Sequence, residues 1–143
     1  MNEPQSFEEY LKTNGSLTYT NVGVSMMPLL RQGRDLFTVR EKGPERCEKG
    51  DVVLYRRPPD RYVLHRIVEV RPKDYVILGD NTVTKEYVKD EDIIGVMTGF
   101  SRGGKDFTVD DPAYKAYTSF ILRTNPARVL CKRALLRLRR LIR

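Results

Sequence analysis

The chain has 143 residues, 40% hydrophobic and 31% charged, which suits one domain around one core. Its two cysteines, Cys47 and Cys131, lie far apart with no CxxC, and His65 is its one histidine, so a disulfide scaffold, a cysteine-based zinc site and any centre needing two histidines are excluded. The net charge is +7, but eight basic residues and no acid lie between Phe120 and Arg143, so the body is near neutral and the tail is cationic.

Ser6-Phe7-Glu8-Glu9 is a capping-box pattern, predicting a short helix that ends at Lys12 or Thr13 and stops at Gly15. Residues 17–22 alternate and read as a strand. Ser25 follows, as the cap of a short helical turn closed by Gly33. Strands are then predicted at Leu36–Arg40, Val52–Arg56, Tyr62–Val70, Tyr75–Leu78, Ile93–Phe100 and Phe107–Val109, with turns at Lys49-Gly50-Asp51, Arg57–Asp60, Arg71–Asp74 and Gly79–Thr82. The spacing predicts a mainly β fold, a small bent sheet or partial barrel, with helices at either end. Residues 1–111 form the expected core, and 112–143 a helical tail broken at Asn125-Pro126. No run approaches eighteen apolar residues, so no transmembrane helix is expected, and the polar segment Met1–Tyr10 does not read as a secretory signal.

Three polar residues carry the candidate chemistry. Ser25 sits where a strand gives way to a turn, a junction that exposes a hydroxyl beside backbone N–H groups. A serine needs a base within reach, and His65 has the right titration range. Alternation along its strand puts His65 on the face of Val63 and Ile67, opposite Leu64, Arg66 and Val68. Asp80, in a Gly-Asp-Asn turn, is the candidate to orient the ring and stabilise the imidazolium. Taken singly, these three residues read as an N-cap, a structural strand histidine and a turn former.

Together, Gly23-Val24-Ser25-Met26-Met27-Pro28, Lys49-Gly50-Asp51-Val52-Val53, His65-Arg66-Ile67-Val68 and Gly79-Asp80-Asn81 resemble the boxes of the type I signal peptidase family, in the wider group with the LexA-like peptidases. The boxes stand in family order over about residues 23–99. The resemblance implies a β-rich peptidase fold and a serine endopeptidase that cuts after a small residue. Ser25 matches the nucleophile. His65 stands where bacterial members place a lysine, as in the endoplasmic-reticulum and archaeal branch, and Asp80 matches that branch's aspartate. The second aspartate of that branch has only Glu86 and Asp90 nearby, and Gly23 replaces the hydroxyl that helps hold the oxyanion in some bacterial members, leaving that task chiefly to the Ser25 N–H. The usual membrane anchor and the large β-insertion are not found, so a minimal catalytic core is expected. Lys85 is a weaker candidate base. Neither metal nor cofactor is implied.

If Tyr19–Val24 is an edge strand, a substrate peptide can add to it by β-augmentation. Val22, Gly23, Val24, Met26 and Leu64 are then the candidate substrate-binding residues, with an ordinary core role as the alternative for the apolar ones. Other function classes are a LexA-like self-cleaving regulatory module, for which no helix-turn-helix or cleavable linker is visible, and an inactive peptidase-like binding module.

Ala127–Arg143 is strongly periodic. At about 100° per residue, Leu130, Leu141, Ala134, Ala127, Leu138, Cys131, Ile142 and Leu135 form one face, and basic residues dominate the rest. Such a helix reads as lying in an anionic membrane interface, which predicts a cytoplasmic protein held peripherally on the membrane. The alternative is a helix with its apolar face in the core and its basic face in solvent. A nucleic-acid role ranks third, because interleaved aromatics and polar base readers are missing.

Overall fold

The computed structural model describes residues 6–59 and 61–142. Met1–Gln5 of the polar N-terminal segment, Asp60 of the predicted connection and Arg143 of the terminal helix lie outside the described residues. Helix α1 spans Phe7–Asn14; Ser6 caps it by accepting the Glu9 N–H at 3.2 Å, and Gly15 ends it at φ +80°. Strands follow at Ser16–Thr20 (β1), Leu36–Glu41 (β2), Val52–Arg57 (β3), Arg61–Val70 (β4), Tyr75–Leu78 (β5), Glu86–Val88 (β6), Ile93–Arg102 (β7) and Lys105–Thr108 (β8), and helix α2 spans Pro112–Ile142.

Among the described residues the strands form one open antiparallel sheet in the order β1-β2-β7-β3-β4-β5-β6, with β8 on β7. The fold is therefore mainly β with a helix at each end, and the sheet is not closed. Two cores follow from strand alternation. Val52, Leu54 and Leu64 pack with Leu11 of α1, Tyr114 of α2, and Met26, Leu29 and Leu30. Val53, Tyr55 and Ile67 turn the other way, toward Tyr75, Ile77, Val88 and Ile93.

Three local expectations are corrected. Residues 23–30 form successive turns, through the Met27 N–H to Val24 O at 3.2 Å and, as the one helical turn, the Leu30 N–H to Met26 O at 3.0 Å, but the Ser25 side chain makes no cap bond there among the described residues. Strand β6 has no prediction behind it; three residues are too few for a periodic signal, and their partner β5 defines them. Helix α2 runs through Pro126 without a break. Proline there removes one backbone bond, but the helix is held from its side. Asn125 is buried, and Arg128 donates to its Oδ1 at 2.7 and 3.2 Å and to Thr82 O at 2.8 Å. Helix α2 begins at Pro112, and its Tyr114 packs in the first core. No described helix is long and apolar enough to cross a membrane.

Candidate active site

Ser25 is half-buried on the loop between β1 and β2. Asn21 and Asp35 tie the ends of that loop: the Asn21 N–H donates to Asp35 O at 2.8 Å, and the Gly33 N–H donates to Asn21 O at 3.0 Å. The Asp35 side chain, fully buried, accepts from the Arg31 N–H at 2.8 Å and from Arg34 Nε at 2.7 Å. Gly23 has φ +83°, a conformation that side chains disfavour. The Ser25 N–H donates to no backbone carbonyl among the described residues.

His65 lies on β4, opposite Val53 of β3 and on the same face as Tyr55. Only 5% of it is exposed. Its Nδ1 meets the Tyr55 hydroxyl at 3.2 Å, and Glu86 Oε1 lies 3.8 Å from the same nitrogen. Glu86 is itself gripped by Arg57 through two contacts, with Nε to Oε2 at 3.2 Å. Nε2 has no hydrogen-bond partner among the described residues. Burial lowers the His65 pKa from 6.5 to about 4; Glu86 opposes that fall, Arg57 adds to it and Asp80 opposes it. Burial and Glu86 together push the Tyr55 hydroxyl up, keeping it protonated.

Ser25 and His65 meet around Gly79. A Cβ built there would lie 2.7 Å from Ser25 O and 3.0 Å from His65 Cδ2, so glycine is what lets the serine loop and the histidine strand come this close. Both residues line one cleft of about 740 Å³. One wall is Tyr19–Gly23; the other is Arg61–His65, with Thr82, Thr84 and Glu86 at the end. Tyr19 and Thr20 belong to β1 and Arg61–His65 to β4, and each strand has an edge with no partner strand there among the described residues. β1 is the end strand of the sheet, and β5 pairs with β4 only from Arg66 onward, leaving Arg61–His65 bonded to β3 alone. Among the described residues no hydrogen bond joins Ser25 Oγ to His65; what they share is the cleft.

Asp80 does not orient His65. Alternation sends His65 and Arg66 to opposite faces of β4, and Asp80 goes with Arg66. Its carboxylate accepts from Arg66 Nε at 2.8 Å, Arg66 Nη2 at 2.9 Å and the Tyr117 hydroxyl at 2.8 Å. Arg66 and Asp80 are both fully buried. Burial opposes the Arg66 charge, yet Asp80 outweighs it and holds the guanidinium's pKa above its usual value. Arg66 Nη1 also donates to Gly50 O at 2.9 Å and Thr118 Oγ1 at 3.0 Å.

Of the candidate substrate residues, Val22, Gly23 and Leu64 line the cleft. Met26 does not: it is buried in the first core, where its Sδ accepts the Asp80 N–H at 3.5 Å. Val24 is exposed outside the cleft, its carbonyl accepting from Asn81 Nδ2 at 2.9 Å. Asp90 is remote from the histidine, bonded to Tyr75 at 2.5 Å and Arg46 at 3.0 Å. Lys85 and the two cysteines are not part of the cleft, and burial raises the Cys47 thiol to about 11. No described group of three or more His, Cys, Asp or Glu is placed to hold a metal.

Sequence reasoning missed Tyr55 and Asn81. Tyr55 had a signal: Val53/Tyr55 and Val63/His65 alternate in phase on adjacent antiparallel strands. Asn81 looks like a turn former, yet its N–H donates to Ser25 O at 2.8 Å. Helix α2 grips the same turn. Arg128 donates to Thr82 O, Lys132 to Asn81 O at 3.1 Å and Arg133 to Val83 O at 3.1 Å. Thus α2 holds the turn that holds the serine's carbonyl.

No protein-family model matches the chain, and no curated protein matches it.

Proposed function

We propose that the chain is a serine endopeptidase resembling signal peptidase I, on a fold of the signal peptidase and LexA-like type. An extended peptide adds to the free edges of β1 and β4 and crosses Ser25. With the Tyr55 proton turned to Glu86, Nδ1–H of His65 donates to Tyr55, and the Nε2 lone pair faces the cleft. His65 takes the Ser25 proton as Oγ attacks the peptide carbonyl and returns it to the leaving amine; water then resolves the acyl-enzyme by the same route. The Ser25 N–H meets the oxyanion. Tyr55 and Glu86 take the positioning role first expected of Asp80. The observation that carries the reading is that Ser25 and His65 share one cleft between two unpaired strand edges.

The enzyme acts at a membrane surface, held peripherally by α2. The basic side of the helix, through Arg128, Lys132 and Arg133, meets the body, while Leu130, Leu138, Leu141 and Ile142 are 52–82% exposed. That reverses the alternative in which the apolar face fills the core. Incubation with a mixed peptide library, with and without anionic liposomes, tests both parts. Cuts after small residues that vanish in Ser25→Ala and His65→Ala are expected, faster with liposomes. Cuts that persist in Ser25→Ala would overturn the peptidase assignment, and a rate indifferent to liposomes would leave the surface without a role in catalysis.

A further inference from the structure

A second cleft, of about 430 Å³, lies between α2 and the face of β4–β5 that carries Arg66. Its volume falls among ligand clefts, roughly 300–1,000 Å³, and is nearer to one acyl chain than to a whole lipid. Val76 and Leu78 form its floor; Leu122 and Val129 of α2 form its wall. The rim carries Lys49, Lys85 and Arg133 against one carboxylate, Glu69. Lys49 and Lys85 have no hydrogen bond or ion pair with a described residue, and Arg133 uses one guanidinium nitrogen on Val83 O. Leu130 links this cleft to the outer face of α2. It lines the cleft, is 70% exposed, and sits at the edge of the apolar arc that runs on through Leu141, Ala134 and Leu138.

A cleft with an apolar floor and wall, a polar share that includes the buried Asn125, and a cationic mouth, continuous with an apolar helix face, suits an amphiphilic anion. We propose that this cleft binds a single anionic lipid drawn from the membrane, its acyl chain between α2 and β5 and its headgroup among Lys49, Lys85 and Arg133. Charge selects the occupant, since three cations face one acid and α2 has no acid of its own from Phe120 onward. The outer arc of α2 meets the bilayer in bulk, and the cleft chooses the lipid. The inference rests on the reading that α2 works at an anionic membrane, and not on the peptidase chemistry.

The test uses the full chain and two probes. Dioctanoyl-phosphatidylglycerol below its micelle concentration, titrated calorimetrically, reports the cleft; dioctanoyl-phosphatidylcholine is its control. Sedimentation with phosphatidylcholine vesicles with and without phosphatidylglycerol reports the outer arc. One lipid per chain is expected, with the anionic form bound at least tenfold tighter. Val129→Trp fills the slot and abolishes that binding; Lys85→Glu, an exposed position that folding tolerates, weakens it at least fivefold and narrows the preference for the anion. Leu141→Ser weakens vesicle binding and spares binding of the short lipid. Vesicle binding without saturable short-lipid binding would overturn the cleft and leave the membrane reading standing, and loss of both would overturn both. Equal affinity for the two headgroups, or an unchanged Lys85→Glu, would also overturn the proposed site.

Discussion

Burial decides how His65 titrates. The folded chain holds its pKa at about 4 against 6.5 in the open, chiefly by desolvation. The fold therefore favours the neutral ring, and the unfolded chain binds more protons between those two values. The stability this contributes is complete above 6.5 and is lost as pH falls toward 4, roughly 3 kcal/mol over the window. In the proposed peptidase, the same shift moves the acid limb of kcat/KM down from the ordinary histidine range to near 4. A pH–rate profile checks this, together with urea unfolding of wild type and His65→Gln at pH 7 and 5, where the variant should lose the pH dependence. A limb near 6.5 would mean that the ring is far better solvated than the cleft allows. The local settings of Ser25, at a strand end, and His65, in a strand, were legible in the sequence, but their pairing as candidates came from the resemblance of the four boxes and not from local pattern. The partner of His65 was not legible. Which carboxylate reaches a ring depends on the face of the sheet, and Asp80, two residues past the end of β5, stands on the Arg66 face.

At the scale of elements, the Arg66–Asp80 pair joins the sheet to α2. Arg66 reaches Thr118 at 3.0 Å and Tyr117 reaches Asp80 at 2.8 Å, so strand, turn and helix share one buried network. Removing one partner of such a pair leaves an uncompensated buried charge. Asp80→Asn is expected to cost about 3–5 kcal/mol in urea unfolding, with kcat/KM lost in proportion to the folded fraction and the acid limb moved slightly down, since the Asp80 charge is one of those that oppose the fall of the His65 pKa. A stable Asp80→Asn protein with a low kcat would instead mean that Asp80 acts on the histidine. The strands of the body were legible from alternation between turn residues, to within a residue or two at most ends. The amphipathic period of α2 was legible too, but its orientation was not. Periodicity gives the apolar arc and says nothing of what the other side bonds. The carbonyls of Gly79–Val83 decide that, by taking Arg128, Lys132 and Arg133.

For the whole molecule, the open sheet is what makes a site. β1 ends the sheet, and β5 stops short of the first half of β4, so two unpaired edges border one cleft with Ser25 and His65 between them. A mainly β fold was legible from strand spacing. The cleft was not, because it depends on where β5 stops along β4 and on Gly79 admitting the loop against the strand. The proposed activity depends first on Ser25 being activated by His65 across that cleft. The rate of covalent labelling by a fluorophosphonate probe at pH 7, with the adduct located by peptide mass spectrometry, measures this. One adduct is expected, on Ser25, forming at least about 100-fold more slowly in His65→Gln. Labelling at another residue, or at Ser25 with an unchanged rate in His65→Gln, would contradict the proposal.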